Sequence, residues 1–305
     1  MRFFKHLVYL FILALNFVIN YALVCTLVSV VFDIFRPELP WLQELIRWTG
    51  LPDTGRTRIL VSGFLAVLVP CLFAHTGLME RYCCWSLGGR RPAPPGRAYL
   101  DQIMEAVCRM AGRRRKDYRL YVLRLNQWNA MSIGRHSILV TLPLLQLEPD
   151  QVGGIIAHEM GHLAHGDTSR ALFLTTLSLL GHTVLNIYAA VLLALQFLSS
   201  LLPVFGFFLS PLFLVLNGIN YGVCLVLDGP LRLLNLIGNR RQEYDADRYA
   251  CEIGLGRGLY DGLALITRSE GRLTWWQRLR SDHPDTQERL RRIAAYVNNN
   301  EKEIR

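Results

Sequence analysis

"AHEMGHLAHG" (157–166) places three histidines and one glutamate within ten positions. On a helix, residues four apart lie one above the other, so His158 and His162 aim their imidazoles at one point and Glu159 stands beside it. Two ring nitrogens with an adjacent carboxylate can hold a metal ion and supply a general base. A polar helix with solvated histidines is the plainer reading. Glu148-Pro149-Asp150 is a helix-start signal, with proline in the first turn and acids at the positive end of the dipole. The helix should run through the histidines to about Thr168.

A catalytic zinc takes three protein ligands and leaves the fourth position to water, so a third ligand is needed. A third histidine of the metzincin type requires Gly at 165 and His at 168; the chain has His165 and Thr168, which excludes that class. His165 then reads as a surface residue. Asp228, in "LDG" (227–229), resembles the aspartate of intramembrane site-2 proteases, but their metal helix lies within the membrane. Here the helix around the histidines carries Glu148, Asp150, Asp167 and Arg170 and is too polar for a span. "NRRQEYDADRYA" (239–250) reads as a helix ending near Gly254 and offers Glu243 and Asp247, four apart on one face. Glu243 suits a third ligand, and Asp247 a carboxylate that receives a ring N–H from a ligating histidine. The alternative is a solvated charged face.

Around this constellation the apolar residues, 51% of the 305, gather into four long runs, at 6–32, 59–79, 171–200 and 201–227. Each exceeds the roughly 20 residues that cross a hydrocarbon core of about 30 Å as a helix. Four transmembrane helices are therefore expected, the last two as a hairpin, with Asn16, Asn20, Asn186, Asn217 and Asn220 facing neighbouring helices. The first run is too long for a signal peptide and lacks an A-x-A site, so it reads as a retained anchor. Lys and Arg concentrate after spans two and four, as in "GRRRKDYR" (112–119) and at Arg240 and Arg241. This bias places both termini and the polar segments on the cytoplasmic side. It also explains a formal charge of +9 without nucleic acid, for which no binding motif is present. Seven cysteines form no C-x-x-C pair and suit a reducing compartment, although Cys83-Cys84, just past span two, could carry a lipid.

The expected organisation is spans one and two in 1–80, a first part of a catalytic domain in 81–170, a membrane hairpin in 171–229 and a second part in 230–305. Neither polar part can bury a good core alone, so the two should pack as one domain. A helix is predicted over 98–112, a strand over 118–125 and two short strands around Gly134 in 129–142. "NAMS" (129–132) reads either as an edge strand beside the cleft or as an ordinary internal strand. As an edge it would let Asn129, Ala130 and Met131 receive a peptide substrate as an added strand.

With these motifs assembled, the chain resembles the HtpX-like membrane metallopeptidases, relatives of the CaaX prenyl-protein endopeptidases. The resemblance rests on "NAMSIG", "LEPDQVGGIIAHEMGHLAHGD", "NRRQEYDADRYA" and "DHPDTQERLRRI" (282–293), and covers about 126–170 and 236–295. It implies four membrane helices with a mainly α, α+β gluzincin-type protease domain. It also implies one zinc ion held by His158, His162 and Glu243, with Glu159 as catalytic base. It further implies that His283 reaches the active site and that Arg289 pairs with an acid such as Asp247. The implied setting is the bacterial inner membrane and the implied task is quality control of damaged or misfolded membrane proteins under stress. The partners are then polypeptide substrates and the lipid bilayer. A dedicated processing enzyme for one lipidated or membrane-anchored substrate is the second expectation. A non-enzymatic membrane scaffold is the third, and it would have no need of Glu159.

Overall fold

The computed structural model describes residues 2–74, 76–270 and 286–303. Among the described residues, four helical stretches are long and apolar enough to cross a membrane: Leu10–Phe35, Gly55–Ala74, Asp167–Ser200 and Gly206–Asp228. They lie in α1 (Arg2–Phe35), α3 (Gly55–Ala74), α7 (Asp167–Ser200) and α8 (Pro203–Glu252); a short helix, α2 (Pro40–Trp48), joins the first two. The second run is shorter than its hydropathy suggests. Thr76 is extended (φ −88°, ψ 151°), and a separate helix, α4 (Gly77–Ser86), begins after it.

The chain divides into two compact units. The first combines Met1–Phe73 with Phe173–Leu234 and holds all four apolar stretches apart from Ala74 and the first residues of α7. Its small core contains Val24, Val67, Cys71 and Leu177. Asn16 and Asn20 are buried and bonded: Asn16 donates to the Leu227 carbonyl at 3.2 Å, and Asn20 accepts from the Gly181 amide at 3.1 Å. Buried amides of this kind are satisfied by neighbouring helices where water is excluded. Asn186 departs from expectation: it is exposed on α7. Asn217 bonds to Phe213 of its own helix. Asp228 lies 2.8 Å from His182.

The second unit combines Ala74–Leu172 with Asn235–Arg305. It contains α4, α5 (Pro94–Met110), β1 (Arg119–Leu123), β2 (Ala130–Ile133), β3 (Ser137–Thr141), α6 (Pro149–His165), the last part of α8, α9 (Gly256–Glu270) and α10 (Thr286–Glu303). The sheet has the order β1-β3-β2; β1 runs parallel to β3, a pairing the sequence did not suggest, and β2 runs antiparallel to it. One face packs Ile138 and Val140 into a core with Leu100, Met104, Ile156, Met160, Leu259 and Ile293. The other face packs Leu139 and Met131 against Cys84.

Helix α6 opens with a capping box between Glu148 and Gln151, and Pro149 takes its first position. It ends at His165 because Gly166 turns left-handed (φ 74°), three residues before the expected end. Two glycines bring it into backbone contact with its neighbours. A Cβ on Gly154 would sit 2.1 Å from the Leu259 amide nitrogen of α9, and one on Gly161 would sit 2.9 Å from the Ala246 Cα of α8. The second contact lays α8 against the histidine helix one turn from Glu243.

Candidate metal centre

All the candidate ligands and their supports belong to the second unit. His158 and His162 project from α6 with their Nε2 atoms 3.2 Å apart. Glu243 projects from α8, its Oε2 3.5 Å from His158 Nε2 and its Oε1 3.5 Å from His162 Nε2. A tetrahedral ion with bonds of about 2.0–2.2 Å holds its donor atoms roughly 3.3–3.6 Å apart. The two approaches to Glu243 use different oxygens; with one donor atom taken from each side chain, all three lie within 4.8 Å of one another, a grouping able to close on one ion.

Each imidazole is oriented from behind. His158 Nδ1 donates to Asp247 Oδ1 at 2.9 Å, and His162 Nδ1 faces Asp167 Oδ2 at 3.4 Å. These contacts fix the tautomer that leaves both Nε2 atoms free to bind. Arg289 of α10 is buried and holds the acids together. It reaches Asp247 with Nε at 2.9 Å and Nη2 at 2.7 Å, and Glu243 with Nη1 at 2.8 Å. Glu159 is also buried, and Ser132 of β2 donates to its Oε2 at 2.8 Å.

The electrostatics suit a cation. Glu159, Glu243, Asp247 and Asp167 surround the two imidazoles with the guanidinium of Arg289 among them, an excess of carboxylates that suits a cation. Burial opposes charging either histidine, yet the carboxylates outweigh it. Asp247 and then Glu243 raise the pKa of His158, and Asp167 and Glu243 push His162 up to about 10. Burial would raise Asp247, but its bonds to His158 and Arg289 prevail and hold it below the usual carboxylate range.

The strands beside the site are set by a second buried acid. Glu80 of α4 accepts from the amides of Arg135 and His136 at 3.2 and 3.1 Å and from the Ser137 hydroxyl at 2.6 Å. The β2–β3 turn closes over this carboxylate at Gly134, whose φ of +66° and distance to Glu80 leave no room for a side chain. Of the residues expected to receive substrate, Asn129 is exposed, Ala130 packs toward the main core, and Met131 turns its side chain to the opposite face.

The structure thus gathers His158, Glu159, His162, Glu243, Asp247 and Arg289 at one point, while His283 lies outside the described residues. Asp167 and Ser132 were missed. Asp167 was legible as an acid just past a glycine-ended helix, and Ser132 as the residue two beyond Ala130 on the same face of a strand. His165 is exposed, and its ring meets Tyr249 edge-on at 6.2 Å. Of the cysteine pair considered for a lipid, Cys84 is wholly buried and Cys83 half-buried.

Comparison with known proteins now decides the family. The model of peptidase family M48 matches residues 94–297, well over half of the chain. The chain belongs to peptidase family M48. Within it, this M48 chain is 30% identical over 133 residues to a protein described as Protease HtpX homolog from Aeropyrum pernix, a match covering 42% of this chain and 40% of the relative. It is 29% identical over 210 residues to another Protease HtpX homolog, from Thermoplasma acidophilum, covering 64% of this chain and 58% of the relative. The chain therefore spans between two fifths and three fifths of the length of these curated relatives. Among solved structures, the crystal structure of S. mikatae Ste24p aligns with a TM-score of 0.44 at 16% identity, over 94% of this chain and 66% of that one.

Proposed function

We propose that this M48 chain is a zinc-dependent integral membrane endopeptidase that hydrolyses peptide bonds at the cytoplasmic membrane face. The carrying observation is the clustered donor set, His158, His162 and Glu243, with one donor atom from each within 4.8 Å of the others and Glu159 one residue from a ligand. When bound, zinc acts as a Lewis acid and lowers the pKa of water to about 7. Asp247 and Asp167 orient the imidazoles, and Arg289 keeps two carboxylates together at a site that would otherwise drive them apart. Glu159 takes the proton from the attacking water and returns it to the departing amine.

The proposed cytoplasmic placement rests on the Lys/Arg bias of the loops, and the proposed bacterial inner membrane on the resemblance to HtpX. The role we propose is quality control of damaged or misfolded membrane proteins. A substrate added as a strand to β2 is held by its backbone, which supports broad rather than single-substrate recognition. The test is zinc content together with casein cleavage, with and without a chelator, for the wild-type chain and Glu243→Ala. Zinc-dependent cleavage of casein and other unrelated unfolded proteins is expected, with metal and activity lost together in the variant. A variant that keeps both removes the proposal. Cleavage confined to one lipidated or membrane-anchored protein turns the reading to dedicated processing.

A further inference from the structure

Strand β2 presents only part of its backbone to an incoming chain, and the register shows which part. Ala130 pairs with Val140, Met131 with Leu139, Ser132 with Ile138 and Ile133 with Ser137. One position earlier, the Thr141 amide donates to the Asn129 carbonyl at 3.0 Å. Hydrogen-bonded and non-hydrogen-bonded pairs alternate along an antiparallel ladder. Met131 and Ile133 therefore spend their amides and carbonyls on β3, and those of Ala130 and Ser132 point outward. Among the described residues, no strand pairs with that outer edge.

Side chains alternate with period two, so Ala130 and Ser132 also share the face turned to α6. There the Ser132 hydroxyl donates to Glu159 Oε2 at 2.8 Å, and it is the only side-chain hydrogen bond to Glu159 among the described residues. Ser132 is thus joined on one side to the edge a substrate would extend and on the other to the candidate base.

Resting on the protease reading above, we propose that Ser132 is a positioning residue. Its outward backbone sets the register of the substrate strand, and its hydroxyl occupies Oε2 of Glu159, which leaves Oε1 to receive the proton of water. One residue then fixes both the peptide and the base relative to each other. This junction is a property of the serine side chain, because strand addition by itself needs only the main chain.

The test compares Ser132→Ala and Ser132→Thr in the purified, zinc-loaded full chain. A hydrogen bond to a charged group is worth enough to predict a kcat lower by about tenfold to 100-fold in Ser132→Ala. KM should stay within about twofold, because the backbone is kept. Ser132→Thr retains the hydroxyl on a residue suited to strands and should recover most of kcat. Wild-type kcat in Ser132→Ala, or equal loss in both variants, overturns the proposal. A second readout needs no turnover: the infrared carboxylate band that disappears in Glu159→Gln should shift in Ser132→Ala and not in Ser132→Thr. An unshifted band overturns the role of Ser132. A wild-type chain that binds zinc but cleaves nothing defeats the protease reading, and the infrared comparison still decides the contact.

Discussion

Replacing Gly161 with alanine tests how the centre is assembled. The added Cβ would lie 2.9 Å from Ala246 Cα and 3.2 Å from its Cβ. Carbon atoms pack best at about 3.5–4.0 Å, so α8 must retreat from α6 by roughly 0.6–1 Å. Glu243 stands one turn before Ala246 on the same helix and is carried with it. Metal–ligand distances tolerate about 0.2 Å, so the carboxylate leaves bonding range of the two imidazoles unless the helix distorts. The expected outcome is a zinc affinity lower by at least tenfold to 100-fold, the scale on which disturbed supports act. A stability loss of about 1–3 kcal/mol, typical of overpacking, should accompany it. Competition with a chromophoric chelator in detergent measures the first, and thermal unfolding by far-ultraviolet circular dichroism the second. Adding Ala246→Gly should recover part of the affinity, because it removes the Cβ contact at 3.2 Å and keeps those to Cα at 2.9 Å and to the carbonyl oxygen at 3.2 Å. Unchanged zinc affinity in Gly161→Ala would refute the idea that this glycine sets the approach of the third ligand.

Glu159→Gln should abolish casein cleavage while zinc stays at one per chain, measured by elemental analysis of the purified variant. Ala130→Pro deletes an outward amide without touching the ladder to β3, so KM for peptides should rise several-fold; an unchanged KM counts against strand addition. Glu80→Ala strands two amides and a hydroxyl beneath the β2–β3 turn and should cost roughly 3 kcal/mol in unfolding experiments. Burial disfavours the thiolate and holds the pKa of Cys84 at about 11 and that of Cys251 at about 12. Deprotonation therefore lies far above pH 8: maleimide labelling of either should be slow there in the native protein and rise about tenfold per pH unit. Equal labelling rates in native and denatured protein would exclude this.

Much of the centre was legible because helical periodicity ties chemistry to spacing. His158 and His162 declare a shared face by their separation, and Glu243 and Asp247 do the same on a second helix. What joins the two helices was not legible. Gly161 looks like any small residue inside a motif, and its function lies in what it lets Ala246 approach. Glu80, one acid in a short helix after an apolar run, gives no local sign that it organises a turn more than fifty residues away. Arg289 was reached only through resemblance, since a lone arginine on an amphipathic helix is usually solvated. The parallel pairing of β1 with β3 escaped for a related reason: strand patterns report which face is buried but not which neighbour is chosen.

The order of the ligands along the chain has a consequence for biosynthesis. His158 and His162 are made first, the two membrane-crossing stretches of α7 and α8 follow, and only then does Glu243 emerge. A nascent chain that has not yet threaded this hairpin holds two imidazoles and no third ligand. On the proposed protease reading, insertion would work as a safety catch: a polypeptide stranded before its last crossing would stay unarmed, and cutting power would arrive only after the hairpin had been laid down.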